Sequence, residues 1–310
     1  MAGAAVLGAC RSSHKKVIAV IPKGTIHIFW QSIQAGALAA GHDWNVEVVW
    51  NGPAEETDYS RQIQIMDSMI TRRVDAIAVS ASDRIALNGA LDRAAAAGIP
   101  VAVFDSGVDS TNYVTFLATN NYQAGEMAAR ELGQLLHGKG KVAMLMHLPG
   151  SGSTMEREKA FDDVMTKEFP GIQVVARQFG MSDRAKAMAA AENILTAHPG
   201  LDGLFGSSEA NSVGAAQAFK GRGLAGKIRL VGFDYSDGLL ADLRSGTIDA
   251  LVVQDPFRIG YEAVKTLVDK LNGRTPPKRV DLSARVITKA DLEKPEVKEL
   301  LFRDLGKYLH

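Results

Sequence analysis

Two aspartates stand at matching places in the two halves of this chain, Asp105 in Phe104-Asp105-Ser106 and Asp234 in Phe233-Asp234-Tyr235. Each closes a short apolar run, and each follows at a nearly equal distance an earlier aspartate at the start of a strand. Those earlier residues are Asp75 in Val74-Asp75-Ala76-Ile77 and Asp202 in Leu201-Asp202-Gly203-Leu204. A carboxylate just past the carboxyl end of a parallel strand sits where open α/β sheets bind ligands. Two such edges facing each other line one cleft from both sides. There the carboxylates act as hydrogen-bond acceptors for hydroxyl groups, in charge-assisted bonds roughly twice as strong as neutral ones. The plainer alternative for each is an Asx cap on the turn that follows.

Other patterns suggest chemistry and lack a required part. Pro149-Gly150-Ser151-Gly152-Ser153-Thr154 precedes a helix like a phosphate cradle, but lacks the lysine that a P-loop needs before its hydroxyl residue. It reads as a cleft-edge loop with a helix cap. Gly138-Lys139-Gly140-Lys141 reads as a turn before a strand. The seven histidines include no pair at the spacing of a zinc site, and no nucleophile elbow occurs. No catalytic residue, metal or cofactor is expected.

To stand at sheet edges the aspartates need strands, and short β-branched runs do alternate with longer helical patterns. In the first half strands are expected over 16–21, 46–50, 76–80, 101–104 and 114–117, with helices over 29–40, 59–72 and 85–97. Ile63, Met66 and Ile70 mark one apolar helix face, and Gly98-Ile99-Pro100 stops the third helix. The second half repeats this with strands over 141–146, 173–179, 201–206, 229–232 and 250–253, and helices over 154–168, 183–197, 211–222 and 237–245. A helix over 256–271, a polar turn, a strand over 285–288 and a helix over 295–305 close the chain. Such alternation builds parallel sheets covered on both faces. The expected fold class is α/β, with two doubly wound parallel-sheet lobes.

At 310 residues and 46% apolar, the chain can bury two cores. Its 35 basic residues balance 35 acidic ones, so no global field draws nucleic acid or an anionic membrane surface. No later stretch reaches the ~18 apolar residues that span a bilayer. The single cysteine, Cys10, ends Leu7-Gly8-Ala9-Cys10, which resembles a bacterial lipoprotein box whose cysteine is lipidated after signal cleavage. The other reading is an incidental thiol in a terminal tail. A body free of cysteine suits an oxidising compartment.

Phe29-Trp30, Asp105, Met155-Glu156-Arg157-Glu158-Lys159-Ala160-Phe161, Leu195-Thr196-Ala197-His198-Pro199, Val231-Gly232-Phe233-Asp234 and Gln254 occur in that order. Together they make the chain over about 16–288 resemble the periplasmic sugar-binding proteins of the ribose-binding type, which feed ATP-driven (ABC) importers. The resemblance implies a three-strand hinge crossed near Asn120, Gln254 and Asp281. It divides the chain into a tether over 1–14, a first lobe over 15–120 plus 255–281, and a second over 121–254 plus 282–310. It also implies a non-enzymatic monomer, periplasmic or held at the cell envelope through Cys10, that closes on a pentose or hexose. A membrane permease is its partner, and a chemoreceptor a further one.

On that resemblance Asp105 and Asp234 accept paired hydroxyls, and Arg157 supplies a planar donor fork that a lysine could not reproduce. Trp30 stacks on the C–H face of a ring, Phe29 forms a second wall, and Gln254 offers both donor and acceptor. Ser80, Thr119, Asn120, Ser208 and Glu209 are expected at strand ends facing the cleft, with Phe179 helping to cover the guest. Ser80 and Ser208 stand where ribose-binding proteins carry asparagine. Lys23, in Ile21-Pro22-Lys23, resembles a branch that includes a quorum-signal receptor, so a furanosyl signal compound or another polyol is the alternative guest. The ordinary roles of these residues are core packing for the aromatics, a helix-surface ion pair for Arg157 and hinge backbone bonding for Gln254. From other classes, the effector domain of a transcriptional regulator needs a DNA-binding helix pair ahead of the first strand, and an enzyme would turn its sugar over.

Overall fold

The computed structural model describes residues 15–309, so Cys10 and the rest of the expected tether lie outside the described residues. Six strands form the first sheet: β1 (Val17–Ile21), β2 (Glu47–Trp50), β3 (Ala76–Val79), β4 (Val101–Phe104), β5 (Thr115–Thr119) and β11 (Arg279–Leu282), in the order β11-β5-β4-β3-β1-β2. The second holds β6 (Gly140–Met146), β7 (Ile172–Phe179), β8 (Gly203–Gly206), β9 (Arg229–Phe233), β10 (Ala250–Val253) and β12 (Arg285–Thr288), in the order β12-β10-β9-β8-β6-β7. The winding is the same in both, and only β10 with β12 pairs antiparallel.

Both faces of each sheet are buried, which is why the strands read as unbroken apolar runs. In β1, Ile18 and Val20 pack with helices α1 (Ile28–Asp43) and α9 (Pro256–Leu271). Ala19 and Ile21 face the other way, onto α2 (Tyr59–Thr71) and α3 (Asn88–Ala96). In β6 the same alternation sends Val142 and Met144 to α4 (Asn121–Leu135) and α5 (Gly152–Glu168). Ala143 and Leu145 join α6 (Arg184–Ala197), α7 (Glu209–Gly221), α8 (Asp237–Ser245) and α10 (Pro295–Leu301). Period-two alternation thus fills four apolar layers.

The aspartates that open the internal echo tie strands together. Asp75 Oδ2 accepts the main-chain N–H of Val17 at 2.7 Å, and Asp202 Oδ2 accepts that of Lys141 at 2.7 Å. In each lobe a carboxylate ahead of the third strand pins the start of the strand beside it, so the echo is partly a device of sheet assembly.

One helix and one strand are additional to those expected from periodicity, as is a single 3₁₀ turn at Lys289–Asp291. Helix α4 buries Asn121, Ala124, Gly125, Ala128, Ala129, Leu132 and Gly133, a face of mostly small residues. Strand β11, with sequence Arg-Val-Asp-Leu, is a half-exposed edge. Helix α3 starts at Asn88 rather than at 85, because the Asp83 carboxylate takes the N–H groups of Ile85 and Ala86 at 2.8 Å and holds a separate turn. Helix α10 ends at Leu301 rather than at 305.

The chain passes between the sheets three times, between β5 and α4, between β10 and α9, and between β11 and β12. Helix α9 therefore returns to the first lobe, where it crosses α1 at a glycine pair. A Cβ on Gly36 would stand 1.9 Å from the Phe257 carbonyl oxygen, and one on Gly260 would stand 2.0 Å from that of Ile33. No side chain can rotate out of a clash with backbone. Gly36→Ala is expected to cost about 1–3 kcal/mol by overpacking and to lower the melting temperature by roughly 2–5 °C. A scanning-calorimetry trace superimposable on wild type would show that the helices separate at no cost.

Candidate binding site

Asp105 and Asp234 leave β4 and β9 in the same unusual backbone conformation, with φ of 57° and 62°. Left-handed φ is tolerated by aspartate better than by most residues, yet it still costs on the order of 1 kcal/mol. The strand ends are therefore bent alike, and both carboxylates line one cavity between the lobes. Asp105 Oδ2 accepts the Ser80 hydroxyl at 2.9 Å and lies 3.4 Å from Lys23 Nζ. Asp234 Oδ1 accepts the Gln254 side-chain amide at 2.8 Å. The cap of the helix after Asp234 is Ser236, which frees Asp234 from that task.

Arg157 reaches the cavity from α5. Its Nε donates to Asn121 Oδ1 at 2.8 Å and its Nη1 to the Ser207 carbonyl at 3.0 Å, while the guanidinium lies 3.7 Å from the Phe233 ring centre. These contacts fix the fork in one plane. Burial pushes its pKa down, and Asp234 and Asp105 favour the charged form. The approach depends on Gly125, where a Cβ would stand 2.3 Å from the Arg157 carbonyl oxygen.

On the first lobe, Trp30 is buried and meets Phe29 edge to face, with ring centres 5.0 Å apart. Its indole N–H donates to Glu56 Oε1 at 2.9 Å, and Glu56 Oε2 pairs with His147 Nε2 of the second lobe at 3.0 Å. Burial opposes ionisation of Glu56, but His147, Lys23 and His27 outweigh it and hold its pKa well below the usual carboxylate range. Lys23 Nζ crosses the cleft to the hydroxyls of Ser151 and Ser153, 3.1 Å each. The glycine- and serine-rich loop at 149–154 is thus a cleft edge that receives a lysine. His27 also crosses, to the Ser182 carbonyl at 3.2 Å and to within 3.4 Å of Glu209, which pairs with Arg184.

Of the residues expected from sequence, Lys23, Phe29, Trp30, Asp105, Arg157, Ser208, Glu209, Asp234 and Gln254 line this single cavity. Ser80 stands behind it, bonded to Asp105. Thr119 and Asn120 lie elsewhere, beside a neighbouring groove at the first crossing, and Asn120 caps α4 by accepting the Gln123 N–H. Phe179, at the end of β7, is 40% exposed and away from the cavity. Sequence reasoning missed His27, Glu56, Asn121 and His147. For His147 a signal existed, since it follows the carboxyl end of β6 as Asp105 follows that of β4. Glu56 sits in the loop after β2 with no comparable mark.

Asp234 is the least well served of the carboxylates. Burial raises its pKa from 3.8 to about 6, against the opposing pull of Arg157 and Gln254 and with help from Asp105 and Glu209. The folded protein binds this proton more readily than the unfolded chain, so the stability it contributes below pH 4 is lost as pH rises through 6. Asp234→Asn in the ligand-free protein is therefore expected to match wild type near pH 4. Its advantage then grows to about 3 kcal/mol above pH 6. Urea unfolding at pH 4, 5, 6 and 7 measures it, and a constant difference across the series would show that Asp234 titrates normally.

The model of a periplasmic binding protein domain matches residues 18–275. The chain is 30% identical over 233 residues to the ribose import binding protein of Bacillus subtilis, covering 75% of each chain. A carbohydrate transporter solute-binding protein from Agrobacterium radiobacter, solved in complex with D-arabinose, is 34% identical with a TM-score of 0.91, covering 94% of this chain and 100% of that one. An ABC transporter solute-binding protein from Agrobacterium vitis, solved with bound D-fucose, is 35% identical with a TM-score of 0.89, covering 92% and 99%. Two lobes of identical winding, three crossings and a cavity walled from both sides agree with these matches along nearly the whole chain, which belongs to the periplasmic binding protein family.

Proposed function

We propose that this chain is the non-enzymatic solute-binding component of an ATP-driven importer, and that it closes on one sugar ring, a pentose or hexose. The observation that carries this reading is the pairing of Asp105 from one lobe with Asp234 from the other across a single cavity. Their free lone pairs accept ring hydroxyls, the unused Nη2 of Arg157 donates to a hydroxyl, and the Trp30 and Phe29 rings form the apolar wall. Acceptors, donor fork and aromatic wall are the three things a neutral polyol needs. With the lobes as closed as they are here the cavity is about 40 Å³, less than one sugar ring occupies, so the lobes must part further to seat a single ring and leave no room for a chain of them. Relatives solved with D-arabinose and D-fucose support the class.

Lys23 bears on the choice between a sugar and an anionic or signal-type guest. Its ammonium is already engaged by two serine hydroxyls and Asp105, which favours the neutral sugar. In this reading the lobes swing about the three crossings, and the closed form is what a membrane permease, and a chemoreceptor as second reader, recognise. The protein acts as a monomer outside the cytoplasm, tethered by lipid on Cys10.

A panel of pentoses, hexoses, polyols and furanosyl compounds in a thermal-shift screen tests the guest. A cognate sugar at a hundred times its Kd is expected to add about 2.7 kcal/mol, which raises the melting temperature by roughly 4 °C. A flat response to every neutral sugar, with a rise for an anionic or non-sugar compound, would overturn the reading. Asp234→Ala is expected to weaken binding of the cognate sugar by about 2–5 kcal/mol while leaving the empty protein folded. An unchanged Kd by calorimetry would remove Asp234 from the site.

A further inference from the structure

We infer that Glu56 and His147 form an interlobe latch that couples the stacking plate to closure, with Glu56 as the positioning residue. The inference rests on the reading above in taking Trp30 as the plate. Glu56 belongs to the first lobe, in the loop before α2, and His147 to the second, one residue past β6. Each carboxylate oxygen of Glu56 has one donor: Trp30 Nε1 at 2.9 Å on its own lobe, and His147 Nε2 at 3.0 Å across the cleft. His147 is fixed in turn. Its Nε2 faces a carboxylate that can only accept, which assigns an N–H to Nε2; its Nδ1 lies 2.9 Å from the Ser208 hydroxyl, and its main-chain N–H donates to Glu158 Oε1 at 2.8 Å. The line Trp30, Glu56, His147, Ser208 thus spans the cleft, with all four residues at least nine-tenths buried.

Two consequences follow from the bonding. The indole N–H is spent on Glu56, so Trp30 meets a guest with its ring and not with a hydrogen bond. A buried carboxylate also needs its partner far more than the partner needs it, because a charge left without a donor bears the full cost of leaving water. Closing the lobes over Glu56 is therefore favourable only with His147 in place. Both partners belong to the protein and no guest atom takes part in the bond, so it biases the empty protein toward closure and slows release from the filled one.

The latch predicts an asymmetric response to mutation. His147→Leu strands the carboxylate, and Glu56→Gln added to it removes the charge that was stranded. Small-angle scattering on the sugar-free proteins is expected to give His147→Leu a larger radius of gyration than wild type, with the double variant returning toward wild type. Stopped-flow release of D-arabinose is expected to quicken by about tenfold or more in His147→Leu, to slow again in the double variant, and to leave the association rate little changed. Circular dichroism confirms that each variant is folded, and Glu56→Gln alone serves if His147→Leu is not. Scattering curves that coincide for wild type and every folded variant, or effects of the two substitutions that simply add, would overturn the latch. Failure of wild type to bind D-arabinose or any other sugar tells against the proposed guest, and the scattering series still decides the latch.

Discussion

A carboxylate taken out of water must find donors, and this cleft takes four out together: Glu56, Asp105, Glu209 and Asp234. How each is served explains much of the arrangement around it. Glu56 draws one donor from its own lobe and one from the other. Glu209, on the second lobe, draws Arg184 from its own side and His27 from across. Asp105 has Ser80 and Lys23 on its own lobe, and Lys23 is itself held by serines opposite. Closing the lobes and satisfying the charges are therefore largely one event. An ion pair that bridges two bodies loses its partner when they part, and both members must then be rehydrated.

The scaffold delivers those side chains by doing the same thing twice. Each lobe winds its strands in one order, pins its first and third strands with an aspartate, and bends the chain at a left-handed aspartate after its fourth strand. Each also brings two helices together over glycine, α1 with α9 at Gly36 and Gly260, and α4 with α5 at Gly125. The second crossing bears directly on the site, because the backbone that Gly125 admits is that of Arg157 itself. A side chain at either crossing would push apart layers whose loops meet in the cleft, and interiors packed this densely pass such shifts on.

What could be read in the sequence follows from what made a signal. The buried strands and the helices with large apolar residues were legible, because burial on two faces leaves unbroken β-branched runs and burial on one leaves helical spacing. Helix α4 was passed over although its two faces contrast as strongly as those of α2, since its buried face is mostly alanine and glycine, with Leu132 its one large apolar residue. Asp105 and Asp234 were visible because each follows its strand in a matching phrase. Glu56 was not, because it sits in a loop with no counterpart in the other half, and its bond to His147 joins residues 91 apart in sequence. Thr119 and Asn120 misled for a related reason. They do end a strand, but that strand leads straight into the second lobe, so its last residues cap a helix and turn the chain instead of facing the cavity.

The distribution of donors within the cavity carries the last step. On the side of Asp105 the acceptors are met by Ser80 and Lys23, whereas on the side of Asp234 the only side-chain donor within bonding distance among the described residues is the Gln254 amide. The other atom of that amide, Gln254 Oε1, is buried without a partner among the described residues. This is also the wall where burial lifts the Asp234 pKa to about 6. One face of the site is thus complete and the other is short of donors, and a ring that presents hydroxyl protons toward Asp234 and Gln254 makes good the shortage without bringing a net charge into the cleft. Because Gln254 follows β10 at the second crossing between the lobes, the bonds a guest would make there fall on a segment that must move when the cleft opens. Occupancy and hinge position are then linked through one side chain, and the guest that best fills the donor-poor wall is also the one that best holds the lobes closed.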